Sequence, residues 1–492
     1  MCPAGTQAAT RNTQTQKLVT EYSRKEPLRS GIFGVLAVRG ADTLAQLNRR
    51  VKMVPASNTK LITTGLALNK LGPAWRFTTT IAHSGNISDG TLNGDLYILG
   101  GGDPTTGAQT ACSIPTGKTF ASWKALLDAA GIKSINGRII GDPRFFKRPS
   151  QGMSWQAEDL GYSYGAGPAG LNFFLNSQQF TITPAEVGKR PNMDVLYPEA
   201  PWMSYINSAV TGEARSSNTL YYICSEYGPV GEFHGSFPSD RKSYKLEASN
   251  SFGAYTCAYY FYKYLTQSGI AVSEGYADIS PEGNIRTDLL FSDLGTRAAD
   301  AKLLTELGQA RSPKLADIVK DTNFDSNNFY AETLFNMLAV QMYGKADRSL
   351  SEKAEEALLT DMGLRPSGSC QLLDGSGLSR KNYVSPEFFV KFLRKMESGA
   401  ARDAYIESLP CPGSKSTLQN RLKDAPQEIK ERIRMKSGSM NGVLCMSGYI
   451  LPADGNGSKT IYFSILTNNV TGPSSKVGAI IDEIILSLAQ EP

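Results

Sequence analysis

Histidine is nearly missing from this sequence: the 492 residues contain two, His83 and His234. A hydrolase that takes its base from an imidazole, or a metal centre built on histidines, has almost nothing to draw on. The seven cysteines, Cys2, Cys112, Cys224, Cys257, Cys370, Cys411 and Cys445, form no Cys-x-x-Cys pair, which argues against a zinc or thiol-redox site. Their odd number leaves at least one thiol unpaired within the chain, and a bridge such as Cys370 with Cys411 stays open. No run approaches the ~18 apolar residues that a membrane helix needs. The net charge is only +5, with no dense Lys/Arg block, so nucleic acid is not an expected partner. The short run Arg49-Arg50-Val51-Lys52 reads as a solvated strand end. The first residues, Met1-Cys2-Pro3-Ala4-Gly5, have neither the basic nor the apolar region of a secretory leader. The expectation is a cytosolic chain, or a mature chain with an added start Met in which Cys2 is a candidate lipid anchor.

What remains is ordinary globular material: 41% hydrophobic, 20% charged, with 47 Gly and 25 Pro to make turns. A soft prior of roughly 150 residues per domain suggests about three domains. Residues 1–18 are polar and aperiodic and are expected to be disordered. Gly31 to Val38 reads as a strand, followed by a short one near Leu44 to Leu47. The stretch after Ser57, LITTGLALNKLG, repeats its apolar residues at helical spacing and stops at Gly72-Pro73. From 79 to 245 the pattern shifts to short alternating runs broken by Gly, Asn and Asp, a β-rich region that we expect to form two subdomains. Helical spacing returns at Ser251 to Ser268 and Tyr330 to Met342. Three strands, near Ile433 to Met435, Gly448 to Leu451 and Ile461 to Leu466, precede a closing helix from Lys476 to Leu488. One domain assembled from 19–78 and 246–490, interrupted by the 79–245 insertion, accounts for this order.

Three short motifs carry chemistry. Ser57-x-x-Lys60 opens a helix, where residues i and i+3 share a face. An amine there can take the serine proton, provided that burial and neighbouring cations lower its pKa. Ser326-Asn327-Asn328 puts a hydroxyl and an amide on a loop before a helix. Lys436-Ser437-Gly438-Ser439 puts a cation and hydroxyls on a strand, suited to a terminal carboxylate, with Gly438 leaving room for a ligand backbone. Singly each has a bland reading: helix cap, capping loop, edge-strand lysine. Ser239-Asp240-Arg241-Lys242 shows how cheaply the first pattern arises. The signal is the set, in this order and each in its structural context.

That set resembles the β-lactamases and penicillin-binding proteins. The separation of about 270 residues between Ser57 and Ser326 is too long for a compact β-lactamase. The sequence resembles instead the class C low-molecular-mass penicillin-binding proteins, the D-alanyl-D-alanine carboxypeptidase/endopeptidase family. Pro55-Ala56-Ser57-Asn58-Thr59-Lys60-Leu61, Gly100-Gly101-Gly102-Asp103-Pro104 and Asp374-Gly375-Ser376-Gly377-Leu378-Ser379-Arg380 resemble further family segments. The resemblance implies an α/β (α+β) transpeptidase-like domain, its antiparallel sheet flanked by helices, with β-rich domains inserted. It implies Ser57 as nucleophile, Lys60 as base, Ser326 as proton relay, Asn328 as substrate holder and Lys436 as the positive charge. Ser437 would bind the terminal carboxylate beside Gly438, and the amides of Ser57 and Ser439 would form the oxyanion hole. A side pocket for the stem peptide would be lined by Asp159, Tyr164, Arg380, Met440 and Asn441. The family pattern often has Thr at position 437 and a hydroxyl residue at position 441. The implied substrate is the peptidoglycan stem peptide, with β-lactams as inhibitors, no cofactor and no metal, in the periplasm or cell envelope. Two rivals remain: a β-lactamase, and a non-catalytic cell-wall binding protein.

Overall fold

The computed structural model describes residues 13–491 except 282, 288, 290–296, 299–303 and 456. Two compact units divide the chain. The first takes residues 1–75, Leu315–Met342 and Arg348–Pro492; the second takes Arg76–Lys314 with Tyr343–Asp347.

The first unit is built from helix α1 (Gln14–Tyr22), strands β1 (Ile32–Arg39) and β2 (Asp42–Leu47), helices α2 (Thr59–Leu71), α3 (Leu315–Phe324), α4 (Asn328–Tyr343) and α5 (Pro386–Glu397), strands β3 (Ile433–Met440), β4 (Val443–Ile450) and β5 (Ile461–Asn468), and helix α6 (Ser474–Gln490). The strands form one antiparallel sheet in the order β2-β1-β5-β4-β3. β1 is covered on both faces, which explains its nearly continuous apolar run. Phe33, Val35 and Ala37 point into a core with Val19 of α1 and Ile481, Ile484 and Ile485 of α6. Leu36 and Val38 point the other way, against Val390 of α5. β3, which carries Lys436, is an edge strand.

One expectation needs correction here, and one open question is answered. Residues 1–12 lie outside the described residues, but the rest of the segment expected to be disordered is helical. Thr13 caps α1 by accepting from the Gln16 amide at 2.9 Å, and Thr15 hydrogen-bonds to Glu491 and Ser487 at 2.8 Å each. Val19 is fully buried. One apolar anchor and a cap suffice, and the polar composition hid them. The cysteines named as a candidate pair, Cys370 and Cys411, are both thiols.

The second unit holds a seven-stranded mixed sheet whose central strands are Tyr276–Ile279, Ile139–Asp142, Leu96–Leu99 and Thr78–His83. Helices Thr116–Ala129 and Gly253–Gln267 pack on it through Phe120, Trp123, Phe261 and Leu265. A separate core of Phe180, Tyr222, Phe233, Phe237 and Leu246 holds the small sheets between residues 177 and 249. The expected return to the first domain at 246 is therefore too early: the chain re-enters the first unit at Leu315. The helical stretch at Ser251 to Ser268 misled, because its apolar face covers the inserted sheet rather than the split one. The helix Thr116–Ala129 also went unread inside the region taken as β-rich. Both histidines fall in this unit, His83 on the strand Thr78–His83 and His234 beside Glu232.

The core between the sheet and α6 contributes to the stability of the first unit. Replacing fully buried Ile481 with Ala should cost about 2–5 kcal/mol through lost burial and the cavity left behind. A lowered midpoint in urea unfolding would register it; an unchanged midpoint would contradict the packing described.

Candidate active site

Ser57 lies in a single 3-10 turn, Ala56–Asn58, that runs directly into α2. The turn is tight: Ala56 takes a left-handed φ of 47°. Lys60 follows one turn later and is completely buried, while Ser57 stays partly open to solvent. The Lys60 Nζ has three neighbours. It donates to the Asn328 side-chain oxygen and to the Ser376 backbone carbonyl, both at 2.6 Å, and it lies 3.0 Å from Ser57 Oγ.

The inequality of those contacts matters. A neutral amine has two N–H groups and one lone pair. Asn328 and Ser376 are both acceptors and take the two N–H groups. The lone pair is then left for the third direction, toward the Ser57 hydroxyl. Burial makes this protonation state accessible. It pushes the Lys60 pKa down to about 7 against the opposing pull of the Asp374 and Glu332 carboxylates.

A second amine lies behind the second motif. Lys436, also fully buried, donates to Ser326 Oγ at 3.0 Å and to the Ser437 carbonyl at 2.8 Å. Burial holds its pKa well below the ordinary lysine value, and the nearby Lys60 lowers it further. Ser326 sits in a left-handed conformation with φ of 55°, a rare state for a residue other than glycine, just before α4 begins at Asn328. Ser437 exchanges a 2.9 Å hydrogen bond with Thr417.

Backbone contacts lock these pieces together. Gly438 was expected to leave room for a ligand. Its missing side chain instead admits the nucleophile turn: a Cβ there would lie 2.6 Å from the Pro55 carbonyl and 3.0 Å from the Ser57 amide. The segment Asp374–Arg380, in which sequence reasoning assigned a role only to Arg380, forms a turn around the Asp374 carboxylate. That carboxylate accepts from the Gly377 amide at 2.8 Å, the Ser379 amide at 2.6 Å and the Asn382 side chain at 2.7 Å. The turn presents the Ser376 carbonyl to Lys60. Gly377, at φ of 86°, lies so close to Ala56 that a Cβ would fall 1.9 Å from the Ala56 carbonyl oxygen.

The side-pocket residues separate into two groups. Asp159 accepts from the Tyr164 hydroxyl at 3.1 Å in the second unit. There Tyr164 stacks on Tyr162 with ring centres 5.3 Å apart. Arg380 donates to the Asn441 backbone carbonyl at 3.2 Å in the first unit, where Met440 is half-buried and Asn441 exposed beyond the end of β3. Sequence reasoning missed three contributors: Glu332, the Ser376 carbonyl and Thr417. Glu332 had left a signal. It is a lone carboxylate in the apolar sequence Asn328–Tyr343, and a charge there must be buried and partnered. Among the described residues no cluster of His, Cys, Asp or Glu is arranged to hold a metal ion.

Comparison with known proteins follows the same lines. The sequence matches the D-Ala-D-Ala carboxypeptidase 3 (S13) family over residues 16–489. It is 27% identical to a D-alanyl-D-alanine carboxypeptidase of Actinomadura sp. (strain R39), covering 98% of this chain and 85% of that protein. It is 24% identical to the D-alanyl-D-alanine carboxypeptidase DacB of Haemophilus influenzae, covering 92% and 89%. The fold is similar to the crystal structure of penicillin binding protein 4 from H. influenzae, with a TM-score of 0.77 at 22% identity over 95% of this chain and 97% of that one. The expected mixed α/β architecture, with an antiparallel sheet between helices, is the fold found.

Two outcomes follow from the geometry. If the Lys60 lone pair takes the Ser57 proton, the rate of reaction of Ser57 with a serine-directed acylating reagent should rise with pH through about 7 and level off above it. A stopped-flow pH profile flat from pH 5 to 9 would contradict the base assignment. Gly438→Ala should displace the nucleophile turn and slow acylation by about a hundredfold, measurable in the same assay; an unaltered rate would contradict the close approach.

Proposed function

The chain belongs to the D-Ala-D-Ala carboxypeptidase 3 (S13) family and is a serine-type D-alanyl-D-alanine carboxypeptidase; from that premise we propose that Ser57 cleaves the terminal D-Ala from peptidoglycan stem peptides in the periplasm or cell envelope. The observation that carries this reading is the Lys60 amine, buried, with two acceptors on its N–H groups and its third direction on Ser57 Oγ.

The steps are these. The Lys60 lone pair takes the Ser57 proton as Oγ attacks the carbonyl of the penultimate D-Ala. The amides of Ser57 and Ser439 receive the developing oxyanion. Lys436 and Ser437 receive the terminal carboxylate. An arriving carboxylate favours the charged form of an amine, so substrate itself would raise the proton affinity of Lys436 that burial has lowered. The Ser326 hydroxyl, hydrogen-bonded to Lys436, passes a proton to the departing D-Ala nitrogen and is replenished with the proton that Lys60 took from Ser57, so Lys60 is neutral again. Asn328, anchored through its oxygen to Lys60, orients the substrate amide. Water then attacks the acyl carbonyl, giving its proton to the neutral Lys60, which returns it to Ser57 Oγ as the shortened peptide leaves.

The same acyl chemistry would trap a β-lactam; a crystal structure of penicillin binding protein 4 from H. influenzae is in complex with one. An endopeptidase activity on cross-linked peptides fits the same machinery. Asp159 and Tyr164, with Arg380, Met440 and Asn441, are the candidates for reading the stem-peptide side chain.

Labelled penicillin, followed by digestion and mass mapping, should mark the peptide that contains Ser57. Release of D-Ala from a pentapeptide should fall at least about a thousandfold in Ser57→Ala and Lys60→Ala. Label on another residue, or activity surviving in Ser57→Ala, would overturn the reading. Turnover of the penicillin adduct within seconds would make the protein a β-lactamase instead.

A further inference from the structure

Glu332 is fully buried in α4 and takes no part in the steps above. One carboxylate oxygen accepts from two consecutive backbone amides, Gly375 at 3.0 Å and Ser376 at 2.8 Å. The other oxygen is paired with Arg348. The Ser376 residue whose amide is held this way is the one whose carbonyl takes a Lys60 N–H at 2.6 Å. Asp374 holds the next amide, that of Gly377, at 2.8 Å. The carbonyl is thereby fixed from both sides.

From this we infer that Glu332 is a positioning residue for the proposed reaction: anchored by Arg348, it fixes the turn that aims the Ser376 carbonyl at Lys60, and so decides which way the Lys60 lone pair points. This rests on the reading of Lys60 as the base for Ser57. The logic is geometric. If the Ser376 carbonyl moves away, an N–H turns toward Ser57, and the lone pair no longer meets the hydroxyl. Glu332 also acts through charge. The charged and titratable groups that bear on Lys60 are Lys436 from β3, Asp374 from the 374–380 turn and Glu332 from α4. Behind them stand Arg348, paired with Glu332, and Glu355, whose pKa burial raises well above the usual carboxylate value. Glu332 is one of the two carboxylates that raise the proton affinity of Lys60.

Length and charge can be separated. Glu332→Asp keeps the charge and shortens the reach; Glu332→Gln keeps an acceptor oxygen and removes the charge. Full-length variants would be mixed with a chromogenic penicillin in stopped flow across pH 5 to 9. Glu332→Asp should acylate more slowly by about tenfold or more, with the acid limb of its profile in place. In Glu332→Gln the acid limb should move to lower pH, because a carboxylate that raises the Lys60 proton affinity is gone. A residue with only a structural role would not move that limb. If the uncompensated guanidinium prevents Glu332→Gln from folding, Glu332→Gln/Arg348→Gln carries the same readout. Variants that acylate within about twofold of wild type, with the limb unmoved, overturn the inference. Failure of the wild-type protein to acylate would instead overturn the proposed function.

Discussion

A lysine amine sealed from water has to satisfy every direction it points in. At Lys60 two directions end on strong acceptors and the third on a serine hydroxyl. Most of the first unit can be read as support for that arrangement. The Ala56–Asn58 turn and the start of α2 bring Ser57 and Lys60 together. α4 brings Asn328. The Asp374–Arg380 turn brings a carbonyl. β3, at the sheet edge, closes against the nucleophile turn through Gly438 and brings Lys436. Charge burial is costly unless each proton and lone pair is matched. Burial that would be a fault elsewhere here leaves an amine beside Ser57 able to lose its proton near neutrality.

The side chains that meet around Lys60 and Lys436 were legible because each belongs to a short motif with a stated chemical reason. Serine needs a base, histidine is scarce, and a lysine stands one turn away. The order of the three motifs fixed which serine was meant. What could not be read was the support. Glu332 and Thr417 lie far from their partners in sequence, and the Ser376 carbonyl is a backbone atom that every residue possesses. Only the fold reveals which carbonyl faces the amine. Gly438 is a related case. Its type could be read, but its reason is the close approach of the protein's own backbone.

The fold was readable where periodicity was strong and ambiguous where ownership of a face was at stake. β1, β5 and α6 are apolar at the spacing their structure demands, and they lie within a residue or two of expectation. The amphipathic helix Gly253–Gln267 has an equally clear pattern, yet a pattern says that a face is buried, not against which sheet. That is why the boundary expected at 246 falls at Leu315. The short helix α1 reverses the lesson: it is held by Val19 and a few polar contacts with the end of α6, too few to show in composition.

The central claim is that Lys60 can lose its proton near neutral pH while the protein is folded. Selective labelling of the lysine side chains would allow each amine to be titrated by NMR, with Lys60→Arg identifying the resonance. The account predicts one lysine signal, absent from that variant, that titrates at about 7. A Lys60 signal that stays charged to the ordinary lysine range would contradict it.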